Sequence, residues 1–202
     1  MTRKPYSAAM TKHLFWFPEF KTIAELVGEG RSIAEIRGLN DAENLFRTKT
    51  AYRSYTIFHA VAARIEAIPQ EFIDLIGGTD ISTQKLIAVI AVMAAESLFF
   101  DFMNEVYREK LMMGDETMTA SDFVRFFRNK QIQDERAAAW TDITLNRLGW
   151  AYRNVLLQSG LLKKNKKNEW IIQKPVINRS LADVMLKTKM EIFHFVLTGE
   201  KA

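Results

Sequence analysis

The side chains best suited to chemistry in this chain are cations and amides, gathered at two places. Lys163, Lys164, Lys166 and Lys167 fall within one short stretch near the C-terminal end. Just ahead of them, Asn146, Arg147, Trp150, Arg153 and Asn154 recur at steps that share one side of a helix. Nearer the N-terminus, Lys49, Thr50, Arg53 and Thr56 form a second basic and polar group. Lysines neutralise phosphates as point charges. Arginine and asparagine donate either to phosphates or, in a groove, to base edges. This chemistry recognises a polyanion; it makes and breaks no bonds. The residues alone also fit a solvated amphipathic helix and a solvated lysine turn.

A catalytic reading finds little to work with. There is no cysteine, so disulfides, thiolate catalysis and cysteine-held zinc are excluded together. The histidines are His13, His59 and His194, and no two stand at metal-ligand spacing. His59 falls beside a buried stripe and reads as structural. His194, between Phe193 and Phe195, reads as packed. No Walker loop, HExxH helix or GxSxG elbow is present. Asp101, Glu105 and Glu109 follow one another by a helical turn, but without a third ligand type they read as a solvated acidic face. The expectation is a non-enzyme with no metal and no cofactor.

The elements that position the cationic groups follow from periodicity. Leu145, Leu148, Tyr152, Val155 and Leu156 predict the inward face of a helix capped by Thr141 and stopped by Gly160. Two apolar segments, Leu161-Leu162 and Trp170-Ile171-Ile172, then flank the polar run 163–168, which predicts a β-hairpin with a basic tip. A helix at 121–127, a short helix at 134–139, the long helix and the hairpin give a winged-helix order over 119–175. In that arrangement the helix can enter a DNA groove and the lysine turn lies against the phosphates.

The first part of the chain predicts two short helices, a turn and a longer helix. The second short helix is capped by Ser32 with Glu35 as its capping-box partner. The longer helix is read from a Thr48 cap to about Ala67, with Ala51, Tyr55, Phe58, Ala62 and Ile65 inward. That is a helix-turn-helix order with Lys49, Thr50 and Arg53 at the exposed start. Leu14 to Phe17 reads as a core anchor. Residues 80–113 read as one long helix or two joined helices, and one last helix follows Pro175.

The fold class expected is therefore mostly α. Two helix-turn-helix or winged-helix-like modules, 1–78 and 119–202, are joined by central helices at 79–118, with one short hairpin wing. Few glycines and prolines, 9 and 4 in 202 residues, favour helices. The apolar run Leu86–Ala95 is too short to span a bilayer, which needs about 20 residues. With no signal peptide read at the N-terminus, the expectation is a cytoplasmic protein without a membrane partner. The formal charge of +4 is uneven: +3 over 1–70, −6 over 71–118 and +7 over 119–202. Two basic ends flank an acidic middle.

Scattered positions along most of the chain resemble the BrxA family, the small A component of BREX phage-defence systems. Members were long described as uncharacterised or as inner-membrane proteins. The resemblance is carried by Phe17-Pro-Glu19, Ile23-Ala-Glu-Leu-Val-Gly28, Asn40 and Thr48–Arg53. It continues in Gln84, Leu98-Phe-Phe-Asp-Phe102, Glu105-Val106, Trp140-Thr-Asp-Ile-Thr144 and the Leu-Leu-x-x-Gly-Leu-Leu pattern of 156–162. It implies a helical protein with helix-turn-helix modules that binds duplex DNA, with other BREX components as partners. The function expected is a non-enzymatic double-stranded DNA-binding accessory protein. Two alternatives stand beside it: a helical RNA-binding protein of the antitermination-factor kind, and an assembly subunit that binds no nucleic acid.

Overall fold

The computed structural model describes residues 4–200. The fold is mostly α-helical with one small antiparallel sheet. By packing, the chain divides into two compact units, one of Trp16–Ala95 and one of the residues up to Phe15 together with those from Glu96 onward.

The Trp16–Ala95 unit is all helical. Its elements are α1 (Phe17–Gly28), α2 (Ile33–Glu43), α3 (Ala51–Ile65), α4 (Gln70–Asp74) and α5 (Ile81–Ala95). Pro18 lies in the first turn of α1, where a missing amide hydrogen leaves no bond unmade. Helix α2 starts in the expected capping box: the Ser32 hydroxyl accepts from the Glu35 amide at 3.3 Å, and the Glu35 carboxylate accepts from the Ser32 amide at 2.8 Å. It ends at Asn44, left-handed at φ 50°. The Asn44 side chain then ties the turn, accepting from the Thr48 amide at 3.0 Å and donating to the Thr48 carbonyl at 2.8 Å. Thr48 is thus a turn residue. The cap of α3 is Thr50, whose hydroxyl accepts from the Arg53 amide at 3.2 Å.

The buried residues of α3 are Ser54, Ile57, Phe58, Ala60, Val61, Ala62, Arg64 and Ile65; Phe58, Ala62 and Ile65 are inward as expected, but the stripe is rotated from the one periodicity predicts. Ala51 and Tyr55 lie outside it. Ser54 takes the inward place because its hydroxyl donates to Asn40 Oδ1 at 3.0 Å, a bond between α2 and α3 that a hydropathy pattern does not register. Helix α5 is buried nearly all round, as its composition predicts. Among the described residues no single helix is long and apolar enough to cross a membrane.

The second unit begins its long run at α6 (Ser97–Phe102), passes through a π turn at Met103–Tyr107 and continues as α7 (Arg108–Met113). Strand β1 (Thr117–Met118) precedes α8 (Ala120–Gln133), α9 (Glu135–Ala138) and α10 (Asp142–Ser159). Strands β2 (Leu162–Lys164) and β3 (Trp170–Ile172) form the expected hairpin, and α11 (Arg179–Lys187) and α12 (Glu191–Thr198) close the chain. The sheet order is β1-β3-β2, antiparallel throughout, with Lys163 opposite Ile171 and Thr117 opposite the same residue from the other side. Strand β1 is not in the sequence reading, where 114–116 is only a connection. The single helix expected after Pro175 is two, broken at left-handed Lys189, and Ile192 faces outward.

The core of this unit is aromatic. Phe102 stacks on Phe123 and meets Phe126 and Tyr152 edge-on, and Tyr152 also packs against Phe99 and Phe127. The Tyr107 hydroxyl donates to the Gln173 carbonyl at 2.6 Å, fastening the end of the hairpin to the π turn. Burial pushes the Tyr107 phenol far above its ordinary range.

Candidate nucleic-acid interface

Helix α10 starts where Thr141 accepts from the Thr144 amide at 3.3 Å, and stops at Gly160, left-handed at φ 86°. Leu145, Leu148, Ala151, Tyr152, Val155 and Leu156 are buried, which turns Asn146, Arg147 and Trp150 to solvent. Trp150 is 48% exposed. Arg153 is placed differently from the expected free donor. Its guanidinium lies 4.5 Å from the centre of the Trp170 ring, and partial burial pulls its pKa below the usual arginine range. Trp170 in turn meets Phe123 edge-on at 6.2 Å. One arginine therefore couples α10 to β3 of the hairpin. Asn154 donates to the Trp150 carbonyl of its own helix at 2.7 Å.

The hairpin tip is built by Asn165. Its side-chain oxygen accepts from the Lys167 and Glu169 amides, both at 2.9 Å, and its amide nitrogen donates to the Glu169 carboxylate at 2.7 Å. The Asn168 amide donates to the Asn165 carbonyl at 3.0 Å, and Asn168 takes the left-handed conformation that asparagine tolerates. The turn is thus closed by its own polar groups, and Lys163, Lys164, Lys166 and Lys167 are all exposed around it.

Between α8 and α10 runs an open groove of about 450 Å³. Its floor is Phe123, Phe127, Leu145 and Gly149; its rims carry Val124, Trp150, Arg128 and Arg153. Arg128 is ion-paired with Asp142 at 2.6 Å. Sequence periodicity does not single out Arg128, because it stands on a different helix from the group around Arg147.

In the other unit, Lys49 lies in the turn before α3, Thr50 caps that helix and Arg53 is exposed in its first turn. Beside them the structure exposes three rings: Tyr52, to which periodicity gives no place, Tyr55, expected inward, and His59, expected to be structural. Tyr52 is 77% exposed and Tyr55 49%, and exposed His59 packs against Tyr55 with ring centres 4.1 Å apart.

Of the carboxylates expected to form a solvated face, Asp101 and Glu105 instead have a structural role, while Glu109 is exposed as expected. Lys130 of α8 is 3% exposed. Its ammonium donates to Glu105 at 2.6 Å, stands 3.5 Å from Asp101 and lies over the rings of Tyr6 and Phe126. The Tyr6 hydroxyl donates to Asp101. Burial works against the lysine charge, but Glu105 and Asp101 together outweigh it and hold its pKa above the ordinary value. Among the described residues no group of three or more His, Asp or Glu side chains could hold a metal ion.

Comparison with known proteins identifies the family and the fold. A family model described as BrxA matches residues 4–189. A protein named BREX protein BrxA from Bacillus cereus (strain H3081.97) is 33% identical over 195 residues, covering 96% of this chain and 97% of the relative. A crystal structure of an uncharacterized protein from Magnetospirillum magneticum superposes with a TM-score of 0.82 over 98% of this chain and 100% of that one. At 17% identity, that likeness shows the shared fold.

Proposed function

The chain belongs to the BrxA family of BREX phage-defence systems, and from that membership we propose that it is a double-stranded DNA-binding accessory protein of such a system. The accessory, non-catalytic role comes from the family. The DNA-binding reading rests on one observation above all. A hairpin turn braced by Asn165 holds four exposed lysines directly after a helix that turns Asn146 and Arg147 to solvent. The order β1, α8, α9, α10, β2, β3, with β3 central in the sheet, is compatible with a winged helix and supports this reading.

In this proposal Asn146 and Arg147 face the duplex. Arg153, held on Trp170, sets the angle of hairpin to helix. Lys163, Lys164, Lys166 and Lys167 meet phosphates. Lys49, Thr50 and Arg53 provide a second set of backbone contacts from the helix-turn-helix-like module of 1–78. Residues 79–118 connect it to the winged-helix module of 119–202, and other BREX components are its protein partners.

A mobility-shift comparison tests the reading. Two duplexes of unrelated sequence should bind with similar affinity and better than a single-stranded RNA of equal length. Absence of duplex binding, with partner proteins retained after nuclease treatment, would favour the assembly-subunit alternative.

A further inference from the structure

The exposed side of α3 has a character that phosphate contacts alone leave unexplained. Tyr52, Tyr55, Thr56 and His59 recur at three- and four-residue steps and lie on the side opposite Ile57, Phe58 and Val61. Two tyrosines and a histidine left in water on one helix face form a ladder of flat rings. From Tyr52 to His59 the rise along the axis is about 10 Å, from the usual 1.5 Å per residue. Charge points the same way. Between Glu43 and Glu66 there is no acidic residue, while Arg47, Lys49, Arg53 and Arg64 all fall there. Of these, Arg47, Lys49 and Arg53 are exposed around the start of the helix.

We infer that this face binds unpaired nucleobases, with Tyr52 as one stacking platform and the Tyr55–His59 pair as the next. The inference rests on the reading that Lys49, Thr50 and Arg53 meet phosphates, and it adds a single strand as a further nucleic-acid form that those contacts can hold. In a duplex each base face is covered by its neighbour, so a tyrosine ring cannot reach it without opening the helix. A single strand offers free base faces, and aromatic platforms beside cations capture them with little regard to sequence. The Thr50 cap and the Asn44–Thr48 ties fix the start of α3, so the rings are presented from a rigid support. The ligand chemistry is an anionic strand with unstacked bases. DNA and RNA both supply it.

The test uses the full chain and three probes: a single-stranded DNA oligomer carrying one 2-aminopurine, the matching RNA, and the corresponding DNA duplex. Stacking on a ring changes 2-aminopurine fluorescence. The wild type should bind the single strand with such a change. Replacing both Tyr52 and Tyr55 by Ala should weaken single-strand binding at least ten-fold and abolish the fluorescence change. Duplex affinity should stay within two-fold, and the double Phe variant should behave as wild type. Both tyrosines are exposed, so the fold should survive, as circular dichroism will verify; should the double variant unfold, His59→Ala replaces it. Single-strand binding confined to RNA, with the same losses, supports the inference and assigns the strand. No single-strand binding by wild type, an equal loss on single strand and duplex, or a Phe variant as weak as the Ala variant overturns it. Changing the four hairpin lysines to Ala separates the two readings. Undiminished duplex binding there contradicts the winged-helix interface and leaves this inference standing.

Discussion

Lys130 and Glu35 show how differently two charges can serve one fold. Lys130 has its ammonium enclosed by Glu105, Asp101 and two aromatic rings. Replacing it with Met would remove the buried ammonium that pairs with Asp101 and Glu105. Breaking a buried pair from one side is strongly destabilising, and we expect Lys130→Met to lower unfolding free energy by about 3 kcal/mol in urea titration. A change below about 0.5 kcal/mol would show the cluster to be solvated. Because the folded pKa of Lys130 is raised, its contribution is complete below the unfolded value and is lost as pH rises through the folded one. Glu35 has the opposite sign. Its bonds to the Ser32 hydroxyl and amide lower its pKa, so its contribution is present above the unfolded carboxylate value and lost as pH falls through the folded one. Glu35→Gln should therefore flatten the acid side of the stability–pH curve and leave the alkaline side unchanged, as thermal melts across pH would record. The sequence announces Glu35, because a capping box is complete within four residues. It conceals Lys130, whose carboxylate partners Asp101 and Glu105 stand 25 and more residues away.

Among the elements, α10 and the hairpin were legible because every signal that makes them is local. Thr141 caps, Gly160 stops, and Asn165 and Asn168 shape the turn. Gly160→Ala places a Cβ in a left-handed residue, and it should cost about 1–2 kcal/mol by thermal denaturation. No loss would mean that the helix stop lies elsewhere. Strand β1 was not legible. With two residues it has no period to read, and it exists because β3 offers it a free edge. The face of α3 was rotated because a buried hydroxyl, Ser54 bonded to Asn40, displaced an aromatic ring from the inward stripe. The same rotation put Tyr55 and His59 in solvent, so an error in one inward position concealed a whole candidate surface. The Arg153–Trp170 contact joins a helix to a strand, which helix periodicity has no means of showing.

For the molecule as a whole, composition already pointed to a helical protein with basic ends, and the distribution of +3, −6 and +7 along the chain was informative where the net +4 was not. The acidic stretch supplies Asp101 and Glu105 to Lys130, so part of that charge is internal to the fold. The basic C-terminal part keeps its hairpin lysines in water. Exposed lysines on a braced turn have few structural duties, and their removal should spare the fold. The central claim is that they meet the phosphates of duplex DNA. The most direct measurement is affinity for one random duplex as a function of salt, for the wild type and for the variant with Lys163, Lys164, Lys166 and Lys167 changed to Ala, with circular dichroism as the folding control. Each lost phosphate contact removes about 0.9 from the slope of log affinity against log salt, so loss of all four should flatten it by about 3.6. An unchanged slope and affinity in a folded variant would contradict the account and remove the hairpin from the interface.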